Sequence, residues 1–181
     1  MALKDILVHI DNSKHCPARL QTAVDLAARH DAHLTGLYVV PQPNIPPYIE
    51  AQLSAEIIAI DAKYSAERAE AAEEAFKQSV NGADIRVEWR TANSATNFAI
   101  SSHVRYADLA VVGQRDAEEQ DLWKSGDDPD DLILNIGWPV LMVPYIGAEK
   151  TPGDTVLVAW DASRLAARAV HYAMPIQKKA K

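Results

Sequence analysis

One cysteine, Cys16, is all that the 181 residues contain. It can form no internal disulfide, which agrees with a reducing compartment. Long apolar runs are missing too: none approaches the ~20 residues that a membrane-spanning helix needs. The opening Met1-Ala2-Leu3-Lys4-Asp5-Ile6 lacks a basic region followed by an apolar stretch, so it does not read as a secretion signal. Basic charge is in deficit, with 18 Lys and Arg against 25 Asp and Glu and a net charge of −7. The tail lysines 178, 179 and 181 are too few to offset it, so neither nucleic acid nor a membrane surface is expected as a partner. The expected location is the cytoplasm. Catalytic patterns are also absent. No Gly-x-Ser-x-Gly elbow occurs, and Ser13 lies too close to His15 in sequence for a triad. His30 and His33 have no third ligand nearby to complete a zinc set, and Cys16 has no CxxC partner.

What is present is alternation. Ile6-Leu7-Val8-His9-Ile10 is a nearly unbroken apolar run ended by the turn formers Asp11-Asn12-Ser13, as suits a strand buried on both faces. Pro17 then opens a helix in which Leu20, Val24 and Ala27 recur at helical spacing. A second strand is predicted over 33–40, and a long helix over 49–80, with Leu53, Ile57, Ile60 and Tyr64 on its apolar face. A strand over 85–89, at a sheet edge, and a short helix over 95–105 follow, the latter with Ser94 as N-cap. The chain continues as a strand over 108–112, a polar loop over 113–128, a helix over 129–136 and a strand over 139–143. Such β-α alternation predicts a doubly wound, five-stranded parallel sheet with right-handed crossovers. Ligands of these sheets sit beyond the carboxyl ends of the strands, where strand order reverses.

The last part of the chain repeats the first. Asp154-Thr155-Val156-Leu157-Val158-Ala159-Trp160-Asp161-Ala162-Ser163 lines up with residues 4–13, and an Ala- and Arg-rich helix follows both. Residues 1–146 therefore read as one domain, 147–153 as a linker containing Thr151-Pro152-Gly153, and 154–181 as the first βα unit of an incomplete second repeat. A sixth strand of the first domain is the other reading of Val156–Trp160. A lone βα unit cannot form its own core, so it must dock on the first domain, pair with another chain, or be loose.

Four segments in order carry a family resemblance: Ile6-Leu7-Val8-x-x-Asp11-x-Ser13, Leu37-Tyr38-Val39-Val40, Tyr106 through Gly113, and Trp138-Pro139-Val140-Leu141-Met142-Val143-Pro144. Together they resemble universal stress proteins of the tandem-domain type, whose sheet is similar to that of the adenine-nucleotide α-hydrolases (Rossmann-like). The resemblance implies a stress-response protein, a homodimer through the last strand, and in many members a site for ATP or AMP. It implies Asp11, Val39 and Val40 around adenine and ribose, although Asp11 has a second reading as a turn or helix-cap residue.

The phosphate half departs from the family pattern, Gly-x-x-Gly, nine residues, then Gly followed by Ser or Thr. Small residues there let backbone N–H groups reach the phosphates. Here Gly113, Arg115 and Gly126 keep the spacing, but Asp116 replaces the second glycine and Asp127 the hydroxyl residue. Asp116, Glu118, Glu119, Asp121, Asp127, Asp128, Asp130 and Asp131 stand against Lys124 alone. Each carboxylate close to a phosphate costs roughly 1 kcal/mol even at water-like dielectric. Arg115 offsets part of this, and Mg²⁺ could bridge carboxylates and phosphates. The run lacks calcium-loop spacing and reads as a solvated loop, with Trp123 pinning it over the pocket or facing a partner. The expectation is a non-enzymatic dimeric stress-response protein with a degenerate nucleotide pocket. An ATP- or AMP-binding sensor and an enzyme on a related fold are the alternatives.

Overall fold

The computed structural model describes residues 2–40, 48, 53–93, 99–114, 116, 129–147 and 152–181. Five strands, β1 (Asp5–Ile10), β2 (His33–Val40), β3 (Val87–Asn93), β4 (Leu109–Gly113) and β5 (Val140–Val143), form one sheet in the order β3-β2-β1-β4-β5. Every neighbouring pair is parallel, with Ile6 opposite Leu34 on one side and Leu109 on the other. The five-stranded parallel sheet predicted from the alternation is therefore present. Strand order reverses between β1 and β4, so a ligand crevice belongs above the tip of β1.

Among the described residues, five helices connect and follow the strands: α1 (Cys16–His30), α2 (Ala55–Val80), α3 (Ala99–Val104), α4 (Pro129–Ile136) and α5 (Arg164–Gln177). Strand side chains alternate between two cores. Ile6, Val8 and Ile10 join Leu20, Ala23, Ala27 and Phe76 under α1 and α2, whereas Leu7 joins Ile100, Val104, Leu132 and Ile136 under α3 and α4. Full burial of each such large side chain stabilises the fold by about 1.5–3 kcal/mol, which explains why β1 and β4 read as continuous apolar runs.

The structure differs from the sequence expectation in three places. β3 runs two residues later than predicted and ends at Asn93, although it does lie at an edge. In α2, Ser54 caps the helix by accepting from the Ile57 N–H, but the expected apolar face is not buried: Ile57, Ile60 and Tyr64 are 51%, 55% and 57% exposed. A 26-residue helix is ~39 Å long, while the eight residues of β2 span only ~27 Å. Only the second half, through Ala72 and Phe76, can cover the sheet. Third, Val156–Trp160 makes no strand among the described residues, although the helix expected after it forms as α5.

Candidate functional site

The tip of β1 turns on Asp11. Its Oδ1 accepts from the backbone N–H of Ser13 at 3.0 Å, which sets the chain into the first turn of α1. Its Oδ2 lies 2.8 Å from Nη2 of Arg19, whose side chain is 2% exposed. Both carboxylate oxygens are therefore engaged within the chain. Burial pushes the Asp11 acid up, but the Arg19 guanidinium, His9 and the Ser13 bonds outweigh it and hold the group at about 2.

Arg19 passes over the end of β4. A methyl group at position 113 would overlap its guanidinium, so Gly113 provides the room that this buried cation needs. Gly113→Ala is expected to destabilise the protein by about 2–3 kcal/mol, in the range for overpacking of a site that cannot relax, as read by urea unfolding. An effect below half a kcal/mol would mean that Arg19 can shift aside at little cost.

Asp116 is the second feature. It is 8% exposed, and its Oδ2 lies 3.0 Å from Nε2 of His15 and 3.3 Å from Nζ of Lys14. The residue that stands at the family's second glycine thus turns its charge inward, onto two side chains just ahead of α1. Arg115, Gly126 and Asp127 lie outside the described residues, as do Asp121, Trp123, Lys124 and the Ser94 cap.

Val39 is buried against Leu37, Ile100 and Val112, while Val40 at the end of β2 is half-buried. Beside them Tyr38 accepts from Asn12 Nδ2 at 3.2 Å and stacks on Trp89 with ring centroids 6.3 Å apart. A cleft of about 460 Å³ opens next to the Asp11 turn, between Cys16 and Pro17 of α1 and Tyr64, Arg68 and Ala72 of α2. Burial raises the Cys16 thiol, the opposite of what an activated thiolate needs. No cluster of His, Cys, Asp or Glu suited to a metal occurs among the described residues.

Sequence reasoning had Asp11, Gly113 and Asp116 but missed Arg19. The signal was available: buried positions 16, 19, 20, 23 and 27 follow one helical stripe, and Arg19 is the charged member of it. The inward turn of Asp116 had no comparable signal, because its partners are a hundred residues away in the chain.

Comparison with known proteins agrees with this architecture. No match was found among curated proteins. A universal stress protein UspA from Lactobacillus plantarum superposes with a TM-score of 0.61 at 19% identity, over 78% of this chain and 98% of that one. A universal stress protein crystallised in complex with cAMP gives 0.56 at 19% identity, over 79% and 98%. A universal stress protein from Archaeoglobus fulgidus DSM 4304 gives 0.71 at 18% identity, over 97% of this chain but 62% of its own. The profile of the universal stress protein family matches residues 2–144, and the chain belongs to that family.

Proposed function

We propose that this chain is a non-enzymatic, dimeric, cytoplasmic stress-response protein whose nucleotide pocket no longer accepts a triphosphate. One observation carries the reading: at the tip of β1 and the start of α1 the basic side chains already hold carboxylates of the chain itself, while Arg68 of α2 also lines the cleft. Arg19 holds Asp11, and Lys14 and His15 hold Asp116. A triphosphate entering here meets two carboxylates and must displace at least one of them to reach Arg19, Lys14 or His15. ATP therefore does not fit this donor set, and Mg²⁺ bridging would have to supply what the side chains do not. Residues 154–181 are, in the same reading, the first βα unit of a second repeat joined through 147–153, and β5 is the edge at which two copies meet.

Calorimetric titration with ATP and AMP, with and without Mg²⁺, tests the pocket. The wild-type chain is expected to show no heat of binding at millimolar ATP. Asp116→Gly combined with Asp127→Ser is expected to strengthen adenylate binding at least tenfold, by releasing Lys14 and His15 and restoring the small-residue loop. Unchanged affinity in the double variant would sink the argument about the loop.

A second reading is supported by the structural neighbour that holds cAMP. A cyclic monophosphate carries one negative charge, so it tolerates this pocket better than ATP does, and Asp11, Val39 and Val40 would bound its adenine and ribose. The same titration with cAMP decides it: micromolar binding of cAMP beside silent ATP makes the chain a nucleotide sensor.

A further inference from the structure

Residues 152–181 meet the rest of the chain at the far end of α1. Arg29 donates to the Pro152 carbonyl at 3.0 Å and lies 3.7 Å from Asp154. Lys179, two residues past the end of α5, donates back to the Arg29 carbonyl. Ile176 lies against Gly153 and packs on the first core. Elsewhere α5 is held by Arg168 on the Gly137 carbonyl at 3.0 Å and by Tyr172 facing Trp138. Pro175 is its one buried residue, so little apolar burial opposes its detachment.

His30 sits inside this junction. It is the last residue of α1, and its Nε2 is buried with no hydrogen-bond partner among the described residues. A proton on that nitrogen is a buried charge with nothing to accept from it. Arg29 of the same turn and Lys179 from beyond α5 face the ring with charge of the same sign. Asp154 lies between Arg29 and Lys181, whose Nζ is 2.7 Å away, and Asp31 is exposed at the helix cap. On the strand that follows, His33 faces Asp5 at 3.4 Å. Burial first, then Lys179 and Arg29, hold the His30 pKa below 6.5. The carbonyl end of α1 favours a cation, but it does so whether or not residues 152–181 are docked.

We infer that His30 is a proton-operated release for residues 152–181: protonation at its buried nitrogen undocks α5 from the end of α1. The inference rests on neither the nucleotide reading nor the dimer reading. In the docked form the proton meets burial, Arg29 and Lys179. On release Lys179 leaves, Nε2 reaches water, and the ring regains ordinary histidine basicity. The released form therefore binds the proton more tightly, and by reciprocity the proton favours release. Docking is at full strength above 6.5 and weakens as pH falls from there toward the lower docked value. Release uncovers Leu109, Trp138 and Leu141, which in the docked form share a groove of about 450 Å³ with Leu165, Tyr172 and Ile176. Mild acid thereby turns a covered apolar wall into an open one.

Hydrogen exchange of the whole chain tests this at about pH 7.5 and about 5.5, on either side of a histidine's ordinary range. Each amide is corrected for its intrinsic rate at that pH, so that lost protection in α5 reads release. Wild-type α5 is expected to lose protection about tenfold between the two, the most that one proton transfers per pH unit below 6.5. His30→Gln cannot take up the proton and is expected to keep α5 protection level, while β1, remote from the junction, exchanges alike in both proteins. His171, on α5 itself, is present in both, so any slope it adds cancels in the comparison. Lys179→Met is the second variant, should His30→Gln not fold. It removes a docking bond and one of the opposing cations, so α5 is less protected at pH 7.5 and loses less on acidification. Wild-type protection that does not change with pH overturns the inference. So does an equal loss in His30→Gln, or an undiminished one in Lys179→Met.

Discussion

Asp11→Ala lowers the free energy of unfolding by about 3–5 kcal/mol, the range for removing one partner of a buried ion pair. The reason is what the substitution leaves behind. Arg19 is 2% exposed, it lies against Gly113, and Asp11 Oδ2 at 2.8 Å is the one carboxylate the described residues offer it. Without Asp11 the guanidinium is a buried charge with no counter-ion. The turn loses its Ser13 bond as well, a smaller loss of about 1 kcal/mol. Replacing both partners discriminates between these effects. Asp11→Ala with Arg19→Met removes the stranded charge and keeps much of its volume, so most of the lost stability returns. Urea unfolding measures it, as a midpoint shift at constant slope. If the single variant costs under 1 kcal/mol, Arg19 reaches solvent when unpaired and the pair is not the keystone of the β1 tip. If the double variant stays as weak as the single one, the Ser13 turn matters more than the charge.

This result would also bear on the family's ligand site. Asp11 is a candidate contact for adenine and ribose by resemblance, yet both its oxygens serve the fold here. A ligand can use the carboxylate only through a lone pair that Arg19 and Ser13 leave open. The position can therefore hold its aspartate for stability even when no nucleotide binds.

The sheet was legible in the sequence because burial on both faces leaves a plain trace. β1 and β4 must be apolar throughout, and the turn residues at Asp11 and Gly113 mark where they stop. What stayed hidden depended on three-dimensional reach. The apolar stripe of α2 has a core-facing period, but periodicity carries no information on whether the sheet extends beneath Ile57 and Ile60. It does not, so they remain exposed. Likewise Val156–Trp160 has every local feature of β1, and a strand still needs neighbours: within one chain the described residues supply none. Asp116 was read from the sequence as hostile to phosphate. Its contact with His15 and Lys14 was not foreseen, because that contact depends on how the loop after β4 folds back over α1.

The second large effect is on acid stability, and it lies in His9. This side chain is fully enclosed in the central strand, opposite Leu37 of β2. Burial lowers its pKa from 6.5 to about 4; Asp11 opposes the shift and Arg19 adds to it. Between these two values the unfolded chain binds a proton at His9 that the folded chain does not. Stability therefore rises with pH across this window, and it is lost as pH falls from 6.5 to 4. The shift corresponds to about 3 kcal/mol, since each pKa unit is worth about 1.4. Asp11 does not account for it. With a folded pKa of about 2 it stays ionised throughout, and its own contribution is lost only below the unfolded value of 3.8. His30 and His103, both half-buried, are lowered as well, first by burial, and add a slope of the same sign. His9→Gln separates them. It cannot take up the proton, so the fall in unfolding free energy between pH 6.5 and 4 should shrink by about 3 kcal/mol relative to wild type. Equal slopes in the two proteins would mean that His9 is protonated in the fold, with Asp11 stabilising the imidazolium more than burial disfavours it.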